Sequence, residues 1–238
     1  MTLNAIIFDC DGVLIDSEAL LMRADMESLA EIGMTYTPAE FQKKYLGTNS
    51  ITYFETLDRE YKNRHGKLPP KGTSDTFHTR RRDILENELA AIKGVAGFVE
   101  KLHLKKAVAS NTQMVSWLSR KLTITGLYDI FAPHIYAAEC VKRGKPAPDL
   151  YLYAAEKLGE KPENCLVIED SPRGVEAGVA AGMSVIGFTG AAHVDEDHAA
   201  LLIAAGATDV VETIESLETY LKGLLQKNHK KADTAYKK

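Results

Sequence analysis

Two aspartates, Asp9 and Asp11, stand one residue apart and are followed by Gly12. Ahead of them, Ala5-Ile6-Ile7-Phe8 is a wholly apolar run with the length and branching of a strand buried on both faces. Residues two apart in an extended segment face the same way, so both carboxylates address one place where the strand stops. Gly12 lets the chain turn sharply there. Like charges this close repel, and a bound divalent cation offsets them. Taken alone, Asp11-Gly12 is also an ordinary turn after a strand, and residues far downstream decide between the two.

The apolar pattern after Asp16 changes period. Leu21, Ala24, Leu29 and Ile32 recur at helical spacing, which predicts a helix over Glu18–Ile32 closed by Gly33. Further helices are expected over Pro38–Tyr45, Ser50–His65 and Ser74–Leu89, with a loop at 66–72. Strand and helix alternate from about Lys93. Strands are expected at Lys106–Ala109, near Ile135, and at Cys165–Ile168, Ser184–Gly187 and Asp209–Val211. Ser171-Pro172 has the form of a helix N-cap followed by proline at the first helical position. The expected fold class is therefore α/β, a Rossmann-like parallel sheet core with helices on both faces and an inserted all-helical cap. The core takes residues 1–15 and 92–226 and the cap residues 16–91, while the lysine-rich, apolar-poor segment 227–238 reads as a disordered tail.

The totals narrow the class. Charged residues make up 26% and hydrophobic ones 45%, ordinary for a globular protein, and the net charge of −4 carries no nucleic-acid footprint. Cys10, Cys140 and Cys165 are too scattered for a zinc site or a disulfide framework. None has an arginine six positions on, which excludes a cysteine-based phosphatase loop. The first strand starts too near Met1 for a signal peptide and no apolar run is long enough for a membrane, so the expectation is a cytoplasmic protein with no membrane partner.

Polar residues recur where apolar strands end: Asp9 and Asp11, Ser110 and Asn111, Glu169 and Asp170, with Lys145 supplied by a loop. All carboxyl ends of a parallel sheet lie on one edge, so these groups can converge. Four carboxylates against one lysine call for a hard cation, and few carboxylates plus water suit magnesium. Taken singly, Ser110-Asn111-Thr112 is a turn or helix cap, Glu169-Asp170 an acidic helix start, and Lys145 a surface charge.

As an ordered set, Asp9-x-Asp11-Gly12-Val13-Leu14-x-Asp16-Ser17, Ser110-Asn111, Gly144-Lys145-Pro146-x-Pro148-Asp149 and Ile168-Glu169-Asp170-Ser171 resemble the four motifs of the haloacid dehalogenase-like hydrolase superfamily. The resemblance implies Asp9 as a nucleophile that becomes phosphorylated, with Asp11 as general acid and then base. It implies Ser110, Asn111 and Lys145 around the phosphoryl group, and Mg²⁺ held by Asp9, Asp11, Glu169 and Asp170. The helical insert resembles the small cap of the β-phosphoglucomutase-like branch, which closes over the site and excludes water.

Sugar phosphomutases of that branch carry a histidine a few residues after the first motif and a Gly-x-Ser-Arg in the cap. Here those places hold Leu21 and Gly47-Thr48-Asn49-Ser50. The expected activity is thus a phosphatase for a small phosphate ester, closest in texture to sugar-phosphate and 6-phosphogluconate phosphatases. A β-phosphoglucomutase-type mutase is the alternative, and the expected state is a monomer or weak dimer. Arg80-Arg81-Arg82 is the candidate reader of an anionic sugar acid. Three consecutive helical residues point three ways, however, so a solvated face fits equally.

Overall fold

The computed structural model describes residues 2–45, 50–191 and 197–235. The chain runs β1 (Ala5–Phe8), α1 (Glu18–Glu31), α2 (Pro38–Tyr45), α3 (Ser50–His65), α4 (Thr73–Glu88), α5 (Val95–Lys101), β2 (Lys105–Ala109), α6 (Val115–Ile124), α7 (Tyr128–Phe131) and β3 (Ile135–Tyr136). It continues with α8 (Asp149–Leu158), β4 (Cys165–Glu169), α9 (Pro172–Ala180), β5 (Ser184–Phe188), α10 (His198–Ala204), β6 (Asp209–Val211) and α11 (Ile214–Ala235). Contacts divide it into two compact units, Met1–Asp16 with Ala90–Lys238, and Ser17–Leu89.

In the first unit the described strands form one parallel sheet in the order β3-β2-β1-β4-β5-β6. Its centre is β1, whose four residues are fully buried because the sheet is covered on both faces. On one face Ile7 joins Ala107, Leu150, Val167 and Val175 in the core. On the other, Phe8 meets Phe98 and Phe131 edge to face at 6.3 and 5.7 Å. The strand order reverses between β1 and β4, and ligands of open α/β sheets bind at such a switch point. Where the chain leaves this unit and returns to it, Ile15 bridges Ala91, and the Ile92 N–H donates to the Leu14 carbonyl at 2.9 Å.

The second unit is helical. Leu29, Met34, Phe41, Tyr45, Tyr53, Leu57, Tyr61 and Phe77 pack as its core. Two arginines of the run Arg80–Arg82 are paired within this unit. Arg80 pairs with Glu27 at 3.1 Å and with Glu31, and Arg81 makes a bidentate pair with buried Asp25 at 2.5 and 2.6 Å. Both guanidiniums are thus matched by acids of α1, Glu27 and Glu31 standing one turn apart on one face, which periodicity in α4 alone does not show. Arg82 is exposed.

Arg81 also lies over the Tyr53 ring at 4.7 Å. Arg81→Met is expected to cost about 3 kcal/mol, because Asp25 keeps a buried charge without its partner. Lysine should not restore it, lacking the planar fork. Urea unfolding of the three proteins checks both points.

Helices α7 and α10 carry no usable sequence signal, because four and seven residues are too few to show a 3.6 period. The segment expected as a disordered tail is drawn differently. α11 runs on to Ala235 through lysine and alanine, both good helix formers, and 236–238 lie outside the described residues. Gly47, Thr48 and Asn49, where a mutase motif would stand, also lie outside them. Among the described residues no helix is long and apolar enough to cross a membrane.

Candidate active site

The register sets the geometry. Phe8 pairs with Val108 on one side and Ile168 on the other, so the next residues along the three strands are Asp9, Ala109 and Glu169. Ser110 and Asp170 follow one step later. The expected strand-end residues therefore do share one edge of the sheet.

Lys145 is the hub. Its ammonium group is 2.5 Å from Asp9 Oδ1 and 2.7 Å from Glu169 Oε1, with its side chain only 3% exposed. It also sits over the Tyr151 ring at 4.7 Å. Burial works against the lysine's charge, but Asp9 and Glu169 together hold its pKa well above the ordinary range. Burial pushes Asp9 up to about 7 in the protein alone, with Lys145 opposing the rise and Glu169 and Asp11 adding to it.

Two of the expected residues are tied to Lys145. Glu169, expected on the cation beside Asp170, is fully buried and turned inward. Its Oε1 accepts from Lys145 and from the Tyr151 hydroxyl at 3.0 Å, and its Oε2 accepts from the N–H and hydroxyl of Ser171 at 2.8 and 3.0 Å. Those bonds engage both oxygens, so Glu169 anchors Lys145. The fit depends on Gly174, where a Cβ would come within 1.6 Å of Glu169 Oε1. Ser171 caps α9 as expected, accepting from the Gly174 N–H at 3.1 Å.

Asn111, expected on the phosphoryl group, is a clamp on the lysine loop. Its Oδ1 accepts from the Lys145 N–H at 2.9 Å and its Nδ2 donates to the Lys145 carbonyl at 3.1 Å. Arg173 donates to the same carbonyl at 3.2 Å. The loop approaches so closely that a Cβ on Gly144 would stand 2.7 Å from Asn111 Oδ1.

Ser110 is buried, and its hydroxyl donates to Thr112 Oγ1 and accepts from the Thr112 N–H, both at 3.0 Å. Asp170 lies against the first turn: Gly12 has φ +84°, and a Cβ there would fall 1.8 Å from Asp170 Oδ2. Only glycine satisfies both the backbone angle and that approach.

Sequence reasoning missed a second lysine. Lys121 on α6 is buried and reaches Asp11 Oδ2 at 2.6 Å and Thr112 Oγ1 at 3.0 Å. The available signal was its place between Leu118 and Leu122, both fully buried on the inner face of that helix. Four carboxylates thus face two lysines, an excess that one divalent cation cancels.

The donor set fits such a cation. Asp9, Asp11 and Asp170 offer only hard oxygens. Among the described residues no three acidic, histidine or cysteine side chains form a ready cage. Mg²⁺ keeps several waters and takes one or two carboxylates plus substrate oxygens.

Comparison with known proteins bears on the family. Over 194 residues the chain is 28% identical to the 6-phosphogluconate phosphatase of Escherichia coli K12, covering 80% of this chain and 85% of that protein. Over 196 residues it is 35% identical to hexitol phosphatase A of the same organism, covering 78% and 83%. A hydrolase from Deinococcus radiodurans R1, solved with bound phosphate and sodium, superposes with a TM-score of 0.81 at 34% identity over 92% of this chain and 95% of that one. Residues 3–182 match the family profile itself, and the chain belongs to the haloacid dehalogenase-like hydrolase family.

Proposed function

We propose that the protein is a Mg²⁺-dependent phosphatase that hydrolyses a small sugar phosphate or sugar-acid phosphate through a phosphorylated Asp9. One observation carries this reading: a nearly buried carboxylate at the end of the central strand, held 2.5 Å from a buried lysine, with a second aspartate two residues on. The two Escherichia coli relatives, a 6-phosphogluconate phosphatase and a hexitol phosphatase, support the substrate class.

In the first step an Asp9 oxygen bonds to phosphorus as the ester P–O bond breaks, and Asp11 gives its proton to the departing alkoxide. In the second, water attacks the same phosphorus and passes a proton to Asp11. The bond to Asp9 breaks, and inorganic phosphate and the original carboxylate are regenerated. Lys145 balances charge on the phosphoryl oxygens, and the Ser110 hydroxyl would exchange its bond to Thr112 for one to them. Asp9, Asp170 and the Asp11 carbonyl would hold Mg²⁺, which neutralises the gathering negative charge when bound.

The test is phosphate release from a panel of sugar, sugar-alcohol and sugar-acid phosphates with and without Mg²⁺. Metal-dependent hydrolysis is expected, greatest on one of these classes. Faster conversion of β-glucose 1-phosphate to the 6-phosphate than hydrolysis would overturn the reading in favour of a mutase.

A further expectation concerns the metal alone. Gly12→Ala forces Asp170 aside, so Mg²⁺ affinity should fall on the order of 10- to 100-fold. Titration calorimetry without substrate reads this directly, and unchanged affinity would remove Asp170 from the proposed site.

A further inference from the structure

We propose that Lys121 is a positioning residue that holds Asp11 in the rotamer needed for proton transfer to and from the reacting oxygen. The inference rests on the phosphatase reading above and concerns the same site.

The geometry is specific. Asp11 projects from the turn after β1 with its side chain 38% exposed. Lys121 reaches it from α6 with a side chain only 5% exposed. One N–H of its ammonium donates to Asp11 Oδ2 at 2.6 Å and another to Thr112 Oγ1 at 3.0 Å. Thr112 is fixed in turn by Ser110 and stands 3.5 Å from the same Asp11 oxygen. The contact therefore ties Asp11 to the loop that carries Ser110, and so places the proton-transfer group relative to the proposed phosphoryl site.

Packing gives no reason for a lysine here. Position 121 lies on the apolar face of α6, between Leu118 and Leu122 at 0% exposure. A methionine would fill a similar volume without taking an ammonium out of water. Asp11 would not be left as an uncompensated buried charge, because it is partly exposed. The ammonium is met there by Asp11 and Thr112, which points to the placement of Asp11 as its role.

The test compares wild type, Lys121→Met and Lys121→Arg, each also in an Asp11→Asn background. The substrate is p-nitrophenyl phosphate, whose good leaving group keeps the background measurable. Lys121→Met is expected to lower kcat on the order of 10- to 100-fold, a fraction of the 10²- to 10⁴-fold that general acid–base catalysis supplies. KM should change less than about twofold, and arginine should recover part of the rate.

In the Asp11→Asn background the same substitution should have almost no further effect, because the group it positions is gone. An unchanged kcat, a loss confined to KM, or an equal loss in both backgrounds would overturn the proposal. A wild-type protein with no Mg²⁺-dependent turnover would instead overturn the phosphatase reading beneath it.

Discussion

Asp9→Asn is expected to abolish turnover, with kcat falling on the order of 10⁴-fold or more while the fold is kept. The carboxamide has the same shape and its oxygen still accepts from Lys145, but it is a far weaker nucleophile. The loss should not be rescued by raising Mg²⁺ or substrate, because neither supplies the missing bond to phosphorus. A direct readout separates this from a loss of binding. Acid-quenched wild-type protein should carry a phosphoryl group on the peptide that contains Asp9, and the Asn variant should carry none. A variant that keeps more than about one-hundredth of the rate would place the nucleophile elsewhere, and Asp9 would then be a metal ligand only.

The edge of the sheet was legible because its residues break a pattern. An apolar run that ends abruptly in Asp-x-Asp-Gly, or in Glu-Asp before a serine and proline, announces both the strand and its polar end. The structure brings Asp9, Lys145 and Glu169 together at 2.5 and 2.7 Å on that edge. Direction was not legible. Glu169 and Asp170 are adjacent acids, and composition does not reveal that one points inward to Lys145 and Ser171 while the other packs over Gly12. Asn111 has the right chemistry for a phosphoryl oxygen, yet both its polar atoms go to the backbone of Lys145, 34 residues away. Lys121 was hidden for a related reason: a lone lysine on an amphipathic helix is usually at the solvent edge. Its burial follows from how α6 packs, and the local trace of it is the company of Leu118 and Leu122. Arg80 and Arg81 show the same limit in the helical unit, where acids 49 to 56 residues earlier claim them.

The lysine hub makes a prediction with two separable parts. Lys145→Met should destabilise the fold by about 3–5 kcal/mol, because it leaves Asp9 and Glu169 as neighbouring carboxylates without their shared cation. Mg²⁺ should restore only part of this, by compensating Asp9, while Glu169 keeps its bonds to Tyr151 and Ser171. The rate should fall on the order of 10²- to 10³-fold, the usual effect of losing one preorganised charge at an anionic transition state. Arginine should not substitute: the slot between Asp9, Glu169 and the Tyr151 ring holds a compact ammonium, and a planar guanidinium needs more room. Lys145→Met/Glu169→Gln then tells the two parts apart. Neutralising Glu169 removes the worst of the buried charge, so urea midpoints should recover toward wild type, while kcat stays low because nothing balances the phosphoryl oxygens. Recovery of both would reduce Lys145 to a structural brace, and recovery of stability alone would mark it as the charge that the reaction uses.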